Sequence, residues 1–230
     1  MTLILLIRHG ENDVMHRRLA GRLPGIHLNE NGRKQAQALA KALEHAPIEA
    51  VYTSPLERAV ETAQPLAEGR GLSLQVCPAF SEVDYGNWQG RTYKQLRRNR
   101  LWKLVKEDAA SVRFPQGETL AEVQQRVVQE LENLARRHTR PPEEGQKPPP
   151  EAIIAVVAHG DIIRLALVHY LNMAINDFHR LTIFPASLSL IRLQPEQRPL
   201  VVHINQIPAF TWPPPPQPVD KPPKRGKKQA

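Results

Sequence analysis

Apolar residues first gather in an unbroken run at residues 2–7, the pattern of a central strand covered on both faces. The period then turns helical. Ala36, Leu39, Ala40 and Leu43 recur at three- and four-residue spacing after Asn29, whose side chain can cap the first turn. Residues 50–53 read as a second strand. Ser54 then predicts a helix start, with Pro55 at the first helical position and Glu57 as the reciprocal cap. Its inner face is Leu56, Ala59, Val60, Ala63 and Leu66. A third strand is expected at 72–76. Residues 79–118 follow no single period and concentrate aromatic side chains, so they read as a lid-like insertion with one or two short helices. Thr119 opens a long helix with Leu120, Val123, Val127, Leu131 and Leu134 inside. Residues 139–151 read as a Pro-rich linker and 152–157 as a strong β run. Asp161 can cap a helix over 162–171, and 187–193 with 200–205 suggest a hairpin. This order implies an α/β fold over residues 1–207, a three-layer α/β/α sandwich. Its mostly parallel central sheet should carry an antiparallel edge.

Composition changes the picture mainly at one end. The 230 residues suffice for one domain with a sizeable core. The 22 prolines cluster, with Pro213 to Pro216 unbroken, so 208–230 is expected to be a disordered Pro/Lys-rich tail. The formal net charge is +8, and Lys221, Lys224, Arg225, Lys227 and Lys228 against Asp220 place half of it in that tail. A mildly basic domain remains, suited to an anionic substrate. The tail has no aromatic beyond Trp212 and Phe210 to interleave with its charges, and no nucleic-acid motif occurs, so nucleic acid is not an expected partner. Cys77 is the sole cysteine, which excludes an internal disulfide and fits a reducing compartment. No apolar run reaches the ~18 residues of a membrane span, and no charged leader precedes the first apolar run. A cytoplasmic protein without membrane attachment is expected.

Two strands end alike, in Leu5-Leu6-Ile7-Arg8-His9-Gly10 and Ala155-Val156-Val157-Ala158-His159-Gly160. Strand carboxyl ends line the ligand crevice of open α/β sheets, so neighbouring strands would bring these histidines face to face. Each following glycine permits a sharp turn and close approach by a ligand. Phosphoryl transfer suits this set, because its catalysis is mostly positioning and charge stabilisation around three equatorial oxygens. Arg8 offers a planar fork for those oxygens, and Arg58, in the first turn of its helix, can reach the same crevice. A neutral imidazole is a competent nucleophile near pH 7. A carboxylic acid must then protonate the leaving oxygen, and Glu82 and Asp84 are the candidates.

Arg8-His9-Gly10-Glu11 resembles the signature of the histidine phosphatase superfamily, which includes cofactor-dependent phosphoglycerate mutases. Four further segments resemble the family in order: Leu28-Asn29-Glu30-Asn31-Gly32, Thr53-Ser54-Pro55-Leu56-Glu57-Arg58-Ala59, Glu82-Val83-Asp84-Tyr85-Gly86-Asn87-Trp88-Gln89-Gly90, and Ala158-His159-Gly160. The resemblance spans about residues 1–207. It implies His9 as nucleophile, Arg8, Arg58 and His159 as the phosphate pocket, and Glu82 rather than Asp84 as proton donor and later base. It implies no metal, and 2,3-bisphosphoglycerate as cofactor only for a mutase. Many members carry Thr or Ser after the glutamate and a phosphate-touching Asn a few residues on. Here Asn12 follows Glu11 and Met15-His16 occupy the second place, so Asn12 and His16 are the two candidates for the contact from this loop, His16 reading more readily as a surface residue. Gly21, Arg22, Tyr85 and Gly160 complete the expected binding set, with Trp88 and Arg91 as further substrate-facing candidates.

Phosphatase and mutase share these groups. Arg97-Arg98-Asn99-Arg100 would be a mutase-like clamp if the arginines converged, but helical spacing sends them apart. Phe114-Pro115-Gln116-Gly117-Glu118-Thr119 resembles a phosphatase-branch segment and favours hydrolysis. The expected partner is a small phosphorylated metabolite, with a homodimer possible. A non-catalytic phospho-ligand binder is the reading that keeps the pocket without turnover.

Overall fold

The computed structural model describes residues 1–140, 149–195 and 197–207. Most of the expected linker, 141–148, and the expected tail, 208–230, lie outside the described residues.

β1 (Thr2–Arg8) and β4 (Ala152–Ala158) run parallel at the centre of a six-stranded sheet. Their register pairs Ile7 with Val157 and Arg8 with Ala158, so His9 and His159 leave adjacent strands at one level. β2 (Ile48–Thr53) and β3 (Leu74–Val76) extend the parallel part beyond β4. β5 (Leu188–Leu193) and β6 (Leu200–Gln206) add antiparallel strands beside β1. The protein is therefore an α/β fold with a mostly parallel sheet and an antiparallel edge.

Strand periodicity sorts the core into two layers. Leu5, Ile7, Val51, Ala155 and Val157 point to one face, where they meet Leu39 of α1 (Glu30–Ala42) and Ala59, Ala63 and Leu66 of α2 (Glu57–Glu68). Ile4, Leu6, Tyr52, Ile154 and Val156 point to the other, against Leu131 and Leu134 of α5 (Leu120–His138) and Leu165 of α6 (Gly160–Tyr170). Asn29 caps α1 through Gly32 N, and Thr119 with Glu122 forms a capping box on α5.

The insertion contains α3 (Tyr93–Leu96), α4 (Arg100–Glu107) and three short 3-10 turns. Its floor is aromatic. Trp88 is 1% exposed and packs 5.7 Å from Trp102 and 5.6 Å from Phe114, which meets Tyr85 at 4.8 Å. Trp88 is thus packing, not a substrate-facing group. This cluster joins the α5/α6 core, so the loop after Phe80 is pressed onto the sheet's carboxyl edge.

Two expected helix starts differ from the observed ones. α2 begins at Glu57 with Leu56 as an extended, uncapped N-cap, so Pro55 lies before the helix. Ser54 is diverted: its Oγ accepts from Leu56 N at 3.3 Å and meets His159 Nε2 at 2.8 Å. The Glu57 carboxylate accepts from Gly25 N instead of closing a capping box. Arg58 and Thr62, not Val60, share the inner face with the alanines. Likewise α6 starts at Gly160 with His159 as N-cap, and Asp161 turns its carboxylate to Tyr85 and Arg164. In both places a residue suited to capping serves the crevice. Among the described residues, no helix is long and apolar enough to cross a membrane.

Candidate active site

The carboxyl edge of the sheet opens into a cavity of about 130 Å³. Arg8, His9 and Asn12 after β1 line it, with Gly21, Arg58 of α2, Glu82 and Tyr85 of the insertion, and Gly160, Asp161 and Arg164 of α6. Residues far apart in sequence meet because three parallel strands and their following turns end at one edge.

His9 is 4% exposed and forms one wall. Its Nδ1 lies 2.7 Å from Gly10 O. A carbonyl only accepts, so Nδ1 carries the proton and Nε2 the lone pair. Burial, then the charges of Arg58 and Arg8, hold the His9 pKa well below the usual imidazole range, against the raising effect of the Gly10 bond. The ring is neutral at pH 7. Gly10 N donates to Thr62 Oγ1 at 2.9 Å, and Thr62 Oγ1 donates to Arg58 O at 2.7 Å, locking the turn to α2.

His159 lies behind this wall, fully buried, its ring centroid 5.2 Å from that of His9 at an interplanar angle of 61°. It too is held well below its usual pKa, by burial first and then by Arg58, His9 and Arg8. Arg8 Nη1 donates to Ile183 O at 2.5 Å, and Arg58 Nη2 donates to Gly21 O at 2.8 Å. The remaining atoms are more telling. Arg8 Nε, Arg58 Nη1 and His159 Nδ1 are buried without a hydrogen-bond partner among the described residues. Buried polar groups are normally satisfied; Arg8 and Arg58 line the cavity and carry donors that suit an anion there, whereas His159, expected in the same pocket, is fully buried and absent from the cavity lining. Gly160 serves this packing: a Cβ there would stand 3.3 Å from Arg8 Nε.

Glu82 lines the same cavity, half-buried. Burial, reinforced by the neighbouring Asp161 charge, pushes its pKa up to about 7, although the Val83 amide, Arg58 and Arg8 pull the other way. Asp84, the competing candidate, turns away: its carboxylate accepts from Gly86 N at 2.9 Å and Gln89 Nε2 at 3.3 Å.

Asn12 is buried in the cavity lining, with Oδ1 accepting from Val14 and Met15 amides at 3.1 and 2.9 Å. That leaves its amide nitrogen as the donor available to a ligand. Tyr85 lines the cavity and donates to Asp161. Arg22 departs from expectation. It is absent from the cavity wall, with Nε donating to Glu82 O at 2.8 Å and Nη2 to Glu118 at 3.0 Å. The fork that suits phosphate is consumed in holding the acid-bearing loop. Arg91 is exposed, as are Arg97, Arg98 and Arg100, and none of them lines the cavity. His16 is exposed at φ +68°. Sequence reasoning missed Arg18, Tyr93, Asp161 and Arg164 as cavity residues and Ser54 as partner to His159. A readable signal existed for Asp161 and Arg164: both follow His159-Gly160 within the first five residues of a helix starting at the crevice. Arg18 and Tyr93 gave none, since the two segments meet only on folding, through the Arg18–Thr92 bridge, Leu19 N donating to Arg91 O at 2.9 Å and Tyr93 N to Arg17 O at 3.3 Å.

A buried neutral histidine, an arginine-rich anion cradle and a carboxyl held near neutrality define a phosphoryl-transfer class of site. The chain belongs to the histidine phosphatase superfamily (branch 1), whose family model matches residues 4–206. It is 29% identical over 213 residues to phosphoserine phosphatase 1 of Hydrogenobacter thermophilus, covering 89% of this chain and 92% of that protein. It is 28% identical over 199 residues to the 2,3-bisphosphoglycerate-dependent phosphoglycerate mutase of Thermoplasma acidophilum, covering 84% and 88%. Among solved structures, a mycobacterial glucosyl-3-phosphoglycerate phosphatase superposes with a TM-score of 0.77 at 25% identity, covering 89% of this chain and 98% of that one.

Proposed function

We propose that the protein hydrolyses phosphoric monoesters through a phosphohistidine on His9. The carrying observation is the set of unpartnered buried atoms, Arg8 Nε, Arg58 Nη1 and His159 Nδ1, around a histidine whose tautomer leaves Nε2 nucleophilic. In the first step Nε2 attacks phosphorus, the bond to the leaving oxygen breaks, and Glu82 gives that oxygen its proton. In the second, water attacks phosphorus, Glu82 takes the water's proton, the N–P bond breaks and inorganic phosphate leaves. Arg8, Arg58, His159 and the Asn12 amide hold the equatorial oxygens as charge grows there. Glu82 suits both steps because an acid poised near 7 can give and regain a proton at neutral pH.

The cradle's own cations neutralise the phosphoryl group, so we propose neither metal nor organic cofactor. The substrate is a small phosphorylated metabolite met in the cytoplasm. Hydrolysis is favoured over transfer to a second phosphorylated acceptor because the Arg97, Arg98 and Arg100 side chains are exposed and away from the cavity.

Phosphate release over a panel of phosphometabolites tests this reading. Hydrolysis of at least one without added cofactor is expected. For 3-phosphoglycerate, isomerisation that appears only with 2,3-bisphosphoglycerate would instead make the protein a mutase. Glu82→Gln should lower kcat/KM for alkyl phosphates on the order of 10²-fold or more while sparing kcat/KM for 2,4-dinitrophenyl phosphate, whose leaving group needs no proton; kcat falls on both, because Glu82 also serves the water step they share.

A further inference from the structure

The loop that carries Glu82 is tied down on two sides. Glu118 holds one: its carboxylate accepts from Asp84 N at 2.9 Å, Arg22 Nη2 at 3.0 Å and Arg126 Nε at 3.0 Å. Asp161 holds the other, accepting from the Tyr85 hydroxyl and from Arg164 Nη1 at 2.5 Å. Arg164 is itself fixed by Nε donating to Leu181 O at 2.8 Å. Asp161 follows His159 and Gly160 directly, so its bond to Tyr85 joins the acid-bearing loop to the strand end of the phosphate cradle. Asp161, Glu82 and Tyr85 line one cavity.

We propose that Asp161 is a positioning residue for the proton donor: its carboxylate, which lines the same cavity as Glu82, disfavours a second negative charge there, and its bond to Tyr85 fixes the loop that aims Glu82. This rests on Glu82 being the general acid. Two carboxylates in one cavity do not both ionise cheaply. Asp161 takes the charge because burial, which opposes it, is outweighed by Arg164 and Tyr85. Among the described residues the Glu82 carboxyl has the Val83 amide at 3.0 Å as its one direct donor. The charged and titratable groups around Glu82 are Arg8 and His9 at the end of β1, Arg18 of the following loop, Arg58 from α2, Tyr93 from α3, Tyr85 of its own loop, and Asp161 and Arg164 from α6, while Arg22 and Arg126 bond its backbone carbonyl. Without the Asp161 charge the charged groups left around the cavity, Arg8, Arg18, Arg58 and Arg164, are all cationic and draw Glu82 toward ionisation.

The test is the pH profile of kcat/KM for an alkyl phosphate, which reports the free enzyme. In Asp161→Asn, which can still accept from Tyr85, the alkaline limb should move acidward by on the order of one pH. With 2,4-dinitrophenyl phosphate no such move is expected, and Asp161→Glu should restore the wild-type limb. A uniform loss of rate with the limb unmoved would make Asp161 merely structural and overturn the proposal. If Asp161→Asn does not fold, Tyr85→Phe decides. It keeps both charges, so kcat for alkyl phosphates should drop several-fold with the limb in place, and an unchanged kcat overturns the proposal. A normal leaving-group response to Glu82→Gln beside an unmoved Asp161→Asn limb sinks only the role of Asp161. No such response to Glu82→Gln sinks the acid assignment itself.

Discussion

Glu82→Gln should stabilise the protein at alkaline pH while disabling it. The carboxyl titrates near 4.5 in an unfolded chain and at about 7 in the fold. Below 4.5 both states hold the proton. Between 4.5 and 7 the unfolded chain ionises while the folded one keeps its proton, so stability falls as pH rises through this window. Above 7 the loss is complete, at most ~3 kcal/mol from the difference between the two values. Glu82 opens on the cavity, so water there trims this figure. Gln carries no charge and removes the dependence. Urea unfolding at pH 5 and pH 8 is the assay. The wild type should lose on the order of 1–3 kcal/mol more than Glu82→Gln between these pH values. Equal pH dependence in the two proteins would refute the claim that the fold holds this carboxyl protonated.

Arg58→Lys should lower kcat/KM on all substrates by roughly 10²-fold or more, because an ammonium cannot both bond Gly21 O and present a second nitrogen to the cavity; steady-state kinetics checks this. Trp88→Ala should cost ~3–5 kcal/mol in urea unfolding by emptying the aromatic floor of the insertion. Gly32→Ala places a Cβ 2.1 Å from Glu11 O, so the loop after His9 must shift. A lower Tm with a drop in kcat is expected, and an unchanged Tm would contradict the contact.

Layer order and strand ends were legible in the sequence because each rests on a local period. The runs ending at His9 and His159 needed only adjacency, which the register of β1 with β4 supplies. Helix starts were misread where long-range chemistry overrode local preference. Ser54 and Asp161 both read as caps, yet one partners His159 and the other Tyr85, 105 and 76 residues away in sequence. Arg22 read as a substrate contact because an arginine near the crevice suits phosphate. Its actual partner, Glu118, lies 96 residues on and gave no signal in the local pattern. The elevated Glu82 pKa was likewise invisible, since burial and a neighbouring carboxylate in the same cavity exist only after folding.

His9 is the phosphoryl acceptor in the proposed reaction. Rapid quenching of the wild type and His9→Ala with a phosphate-labelled substrate, followed by mapping of the label, tests this directly. The wild type should hold an acid-labile, alkali-stable phosphoryl group on His9, and His9→Ala should hold none and turn over on the order of 10⁴-fold more slowly or less. Label on another residue, or full turnover in His9→Ala, would contradict it.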